Sequence, residues 1–147
     1  MNNRRMIVHV LGEVLLVEAL LMLFPTVTAL IYRESEIKAY LISIAVVIFV
    51  GLIFISVPVH DKRIYYKDGF SIVSIGWILM SLFGALPFYI SGEIPSYLDA
   101  VFESVSGFTT TGASILTDVE ALSHATLFWR SFSHWIGGMG VLVFLLA

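Results

Sequence analysis

Phe102-Glu-Ser-Val-Ser-Gly-Phe-Thr-Thr-Thr-Gly-Ala-Ser114 decides how this chain is read. The stretch joins a short amphipathic helix to three threonines and a glycine, and it lies between long apolar segments. Stripping water from a small cation requires oxygens that replace its hydration shell. Backbone carbonyls in an extended Thr-Thr-Gly run supply them, and Thr hydroxyls can add a further layer. Glycine is needed where the backbone leaves ordinary φ/ψ space to aim a carbonyl. The stretch is therefore a candidate ion-selectivity loop. The competing reading is a plain polar loop, because TTTG also occurs in ordinary turns.

Immediately upstream, Pro95 and Ser96-Tyr97-Leu98-Asp99 match a helix start with a capping box. The helix to Phe108 has about twelve residues, or ~18 Å, half of a bilayer core. Thr109–Ser114 is too short to cross back as a helix. The segment is expected to enter as a helix and leave as extended backbone, which is tolerated at that depth only where it lines water or is buried in protein.

Further out lie long apolar runs. The chain is 59% hydrophobic and 13% charged, with mean hydropathy +0.95; a soluble domain of this size needs more polar surface. Spans are expected over Met6–Ile31, Ala39–Val59 and Phe70–Ile90, with a last one from Ala125 to Ala147 that is still apolar where the sequence stops. Pro25 should kink the first near its far end, and Pro87 with Ser91-Gly92 should end the third. Gly76 and Gly84 share a face where a neighbouring helix can approach closely. The first run is too long for a signal-peptide core and is expected to stay as an anchor.

With no cysteine, a disulfide framework, thiolate zinc, c-type haem attachment and a Cys nucleophile are excluded. His9, His60, His124 and His134 lack metal-site spacing. Charge orients the spans. Arg4, Arg5, Lys62, Arg63 and Lys67 mark the amino end and the 60–68 turn as cytoplasmic. Ser91–His124 has no Lys or Arg but carries Glu93, Asp99, Glu103, Asp118 and Glu120. The loop then enters from outside, with an acidic rim that concentrates cations. The C-terminal end of the short helix would turn its partial negative charge toward the ion path.

FESxSGxTTTGA at 102–113, LFWR at 127–130, WIGGMG at 135–140, LIYR at 30–33 and GALPF at 84–88 together resemble the TrkH/KtrB (Trk/Ktr/HKT) family of potassium transporters. The resemblance covers most of the chain. It implies an all-α membrane protein: two peripheral transmembrane helices (residues 1–68) followed by one helix–pore-loop–helix repeat (69–147), of the four that family members carry. Because those members are several times longer, the chain is expected to be an amino-terminal fragment or truncated product. The resemblance further implies K⁺ uptake across the cell (inner) membrane, in some members by symport with Na⁺, with no enzymatic step. Implied partners are the remaining repeats, a second copy in a homodimer, a cytoplasmic nucleotide-binding subunit of TrkA/KtrA type and the lipid bilayer, and no nucleic acid. By position, Thr110, Thr111 and Gly112 supply K⁺-binding filter carbonyls, with Thr109 and Ala113 flanking.

Other residues admit two readings. Glu103 and Arg130 either pair behind the filter as a scaffold or snorkel separately to the outer surface; pairing is preferred. Glu13 and Glu18 could form a cation relay, but they do not share a tight helical face and are read as facing a neighbouring helix or the interface. Gly137, Gly138 and Gly140 form a possible hinge, although close packing is the commoner reason for such glycines. Trp77, Trp129 and Trp135 fall mostly near span ends, as interfacial anchors do. A Ser106–His134 hydrolase pair is disfavoured because Ser104 stands where a nucleophile elbow needs its first glycine. A non-transporting assembly subunit is the remaining alternative.

Overall fold

Two prolines set the breaks in the long helices. The computed structural model describes residues 3–146, with side chains over 3–140. Pro25 has no N–H to give the Leu21 carbonyl and its ring crowds that carbonyl. Helix α1 (Arg4–Leu21) accordingly gives way at Met22 to α2 (Leu23–Ile31). Pro87 does the same two spans later, where α4 (Tyr66–Gly84) passes through Ala85 into α5 (Leu86–Ile90). The break at Met22 falls three residues before Pro25, and Pro87 breaks its span a full turn before the helix ends at Ser91.

Between these pairs lies α3 (Ile37–Ile55), followed later by α6 (Tyr97–Phe108) and α7 (His124–Leu146). Arg4–Ile31, Ile37–Ile55 and Tyr66–Ile90 are each long and apolar enough to cross a bilayer. The third begins at Tyr66, ahead of the Phe70 that its hydropathy suggests. Asp68 is the reason: its buried carboxylate accepts the Tyr65 amide at 3.2 Å and the Asn3 amide at 3.1 Å. A charge that reads as turn thus caps a helix start and holds the amino end to it. The last expected span starts one residue early, at His124. Its final residue, Ala147, lies outside the described residues, as do the side chains of 141–146.

Helices α1 and α3 run antiparallel and meet at glycines. A Cβ on Gly12 would lie 2.8 Å from the Gly51 carbonyl oxygen, the close backbone approach that small residues permit in lipid. The core continues through Leu15, Met22, Tyr40, Phe88, Phe108 and Trp129. The outward faces of α1 to α3 carry exposed Leu20, Phe24, Ile31, Phe49 and Leu52, as lipid-facing helices do.

Trp129 is not the interfacial anchor its sequence position suggests. It is fully buried, and its indole N–H donates to the Gly84 carbonyl at 2.9 Å, at the end of α4, where the break frees that carbonyl. Trp129→Phe is expected to cost ~1–3 kcal/mol by leaving a buried acceptor unpaired, read as a lowered melting temperature in detergent.

Candidate functional site

Ser96 takes the extended N-cap conformation before α6 (φ −93°, ψ 127°), but its hydroxyl makes no capping bond. The capping box expected there is not formed. The Tyr97 hydroxyl instead ties this end to α4, donating to the Leu82 carbonyl at 2.7 Å, and Asp99 complements the helix dipole.

The other end of α6 makes the loop. Thr110 N–H donates to the Gly107 carbonyl and Thr111 N–H to the Ser106 carbonyl, both at 3.0 Å. This is a Schellman closure, which normally places glycine in the left-handed position. Here Thr110 occupies it, at φ +57°. A β-branched residue in that region costs on the order of 1–2 kcal/mol. Local hydroxyl bonds offset the cost: Thr110 Oγ1 donates to the Thr109 carbonyl at 2.7 Å, and the Thr109 and Thr111 hydroxyls lie 2.8 Å apart. Gly112 follows at φ +80°, and a Cβ added there would meet nothing within 4 Å. Its glycine is required by the backbone, not by crowding.

Which carbonyls remain open follows from these bonds. Those of Val105, Ser106 and Gly107 accept within the chain, so these three are not free to face an ion. The Ala113 carbonyl accepts the buried Ser106 hydroxyl. Among the described residues, no donor reaches the carbonyls of Thr110, Thr111 or Gly112, and all three residues are exposed.

The loop returns over a buried carboxylate. Glu103 is 2% exposed. Its Oε1 accepts the Ile115 N–H at 2.8 Å and the Ser114 hydroxyl, and its Oε2 accepts the Arg130 Nε–H at 3.2 Å. The pairing expected of Glu103 and Arg130 is therefore made, and the same carboxylate grips the loop.

Helix α7 supports α6 from behind. It runs unbroken through its glycines, and Gly137 sits so close to α6 that a Cβ would lie 2.0 Å from the Phe108 carbonyl oxygen. Gly138 and Gly140 have more room, with nearest atoms at 3.9 and 3.3 Å. Ser106 and His134 do not pair: the His134 Nδ1 lies 2.9 Å from the Arg130 carbonyl of its own helix.

Two features escape a local reading of sequence. Glu18 is fully buried beside Gly84 and Ser104, with both carboxylate oxygens unpartnered among the described residues. Glu13, by contrast, is 59% exposed and lies 3.7 Å from His9. The second feature is Glu34, in the turn after α2, which bonds the first amides of α7. Partners so far apart in the chain leave no sequence signal. Burial pushes the Glu34 carboxyl up, but the His124 and Ala125 amides and the His124 ring outweigh it and hold it below its ordinary value. Its contribution to stability is present at neutral pH and is lost as pH falls through that lowered value.

A sequence profile for TrkH, described as a cation transport protein, matches residues 36–147. The chain is 35% identical over 145 residues to the Trk system potassium uptake protein TrkH of Halomonas elongata, covering 97% of this chain and 30% of that one. It is 36% identical over 148 residues to the Trk system potassium uptake protein TrkG of Escherichia coli, covering 99% and 30%. It is also similar to the crystal structure of the potassium transporter TrkH from Vibrio parahaemolyticus, with TM-score 0.88 and 36% identity over 95% of this chain and 30% of that chain. It thus spans about 30% of the length of the relatives it matches. On the profile match and the near-complete alignment, this all-helical chain belongs to the TrkH cation transport family.

Proposed function

We propose that this chain is the amino-terminal part of a K⁺ uptake transporter and contributes one of several filter loops around a shared ion path. The observation that carries the reading is the set of open carbonyls at Thr110, Thr111 and Gly112, on a loop whose flanks are fixed by Glu103, Arg130 and Ser106. Open backbone oxygens on a braced loop are what dehydrating an alkali cation requires. In this reading α4 to α7 form the helix–pore-loop–helix repeat, and α1 to α3 form the peripheral pair.

One loop cannot surround an ion, so the remaining repeats complete the ring. The amino end lies in the cytoplasm of the cell and the loop faces outside, following the basic residues at 4–5 and 62–67. K⁺ moves down its electrochemical gradient, to which an inside-negative potential contributes ~2.3 kcal/mol per charge per 100 mV. Gly137, Gly138 and Gly140 lie where an opening motion of α7 would bend it. A second copy and a cytoplasmic nucleotide-binding subunit are the partners this assembly would take.

Gly112→Ser in the complete transporter tests the reading. A serine strains the positive-φ position, and the K⁺/Na⁺ uptake ratio is expected to fall by about tenfold, the effect of ~1.4 kcal/mol at a strained site. An unchanged ratio refutes the filter assignment and favours a non-transporting assembly role.

A further inference from the structure

The amino-terminal helix pair reaches the loop's support from a distance. At the end of α2, Arg33 is held at φ +52°, with its N–H bonded to the Leu30 carbonyl and that of Glu34 bonded to the Ala29 carbonyl. This closure turns Glu34 onto α7. Its Oε1 accepts the His124 N–H at 2.7 Å and lies 2.8 Å from the ring Nδ1; its Oε2 accepts the Ala125 N–H at 3.1 Å. Tyr32 stacks on the His124 ring, with centroids 3.9 Å apart and planes within 2°. Helix α7 is capped locally by Ser123, whose Oγ accepts the Thr126 N–H at 3.3 Å, and its first two amides are taken by Glu34 from another part of the chain. Less than two turns further along, Arg130 meets Glu103, which holds Ser114 and Ile115.

We propose that Glu34 is a positioning residue for the ion-coordinating loop. It fixes the height of α7 against the α2–α3 turn and so sets where Arg130 engages Glu103. The inference rests on the filter reading above. It gives the helix pair a role in selectivity as well as in anchoring. The titratable groups around this contact are His124 and Tyr32, with Glu36 and Tyr40 at the start of α3 and Glu93 on the adjoining loop, which accepts the Ser123 N–H at 2.6 Å.

The test uses the complete transporter and follows the K⁺/Na⁺ uptake ratio against external pH. Glutamine keeps one acceptor oxygen but cannot ionise. Glu34→Gln is expected to lower the ratio at neutral pH by about fivefold, the size of one lost cap. The wild type is expected to lose ratio on the acid side as Glu34 protonates, and Glu34→Gln should remove that fall. Glu34→Asp should restore part of both. If Glu34→Gln lowers only the yield of assembled protein and keeps the wild-type ratio and pH profile, the cap is merely structural and the inference is overturned. Gly112→Ser, run alongside, separates the two claims. A ratio altered there but not at Glu34 sinks only the positioning role, and a ratio altered at neither sinks the filter reading beneath it.

Discussion

Glu103→Ala is expected to cost the protein ~3–5 kcal/mol, because it leaves the mostly buried Arg130 guanidinium without its partner. The same change releases the Ser114 hydroxyl and the Ile115 amide, so the loop loses its inner anchor along with its charge balance. Glu103→Gln retains an acceptor and should recover part of the loss. Arg130→Ala should be comparably damaging, and the double variant should cost much less than the two singles together. Thermal melts of the detergent-solubilised protein measure all four. Additive losses would mean that the pair does not act as a unit.

Gly137→Ala is expected to be the most damaging single-methyl change in the described part of the chain. The added Cβ would lie 2.0 Å from the Phe108 carbonyl oxygen and 2.7 Å from its carbon. Both are backbone atoms, so no side chain can rotate aside. The helices must separate, at about 3 kcal/mol or more, toward the upper end of overpacking losses. Gly138→Ala should be nearly silent, since its nearest neighbour is the Thr110 methyl at 3.9 Å. Gly140→Ala should fall between, against the Trp77 ring at 3.3 Å. Yield of monodisperse protein and melting temperature rank the three. Equal effects across the series would point to lost flexibility; the graded order marks Gly137 as a packing contact.

Much of this was legible because it is local. Apolar runs, Pro25, Pro87 and the SGFTTTGA stretch state their consequences within a few residues, and the helices lie close to where those signals put them. The Glu103–Arg130 pair was legible from cost alone, since two opposite charges facing lipid have few other ways to be satisfied. What the sequence hid is non-local or conformational. Nothing around Thr110 announces that a threonine takes the left-handed position where glycine is usual. Ser96 and Asp99 have the capping-box spacing, yet the bonds are absent. Trp129 sits near a span end but turns into the core, because a broken helix supplies it with a free carbonyl. Glu18 reads as facing either a neighbouring helix or the interface, and only the structure selects the first, sealing it between helices.

The bond from Glu34 to the head of α7 also sets an order of biosynthesis. A ribosome adding about 5–20 residues per second makes Glu34 on the order of ten seconds before His124 exists. During that interval the Glu34 carboxylate is without the helix amides that it will later accept. The seat for the Phe108 carbonyl is likewise missing until Gly137 has been translated. The nascent loop cannot acquire its final shape at insertion. It must wait for the helix that follows it, so slowing translation between codons 108 and 137 should lengthen the time for which added protease can cut it.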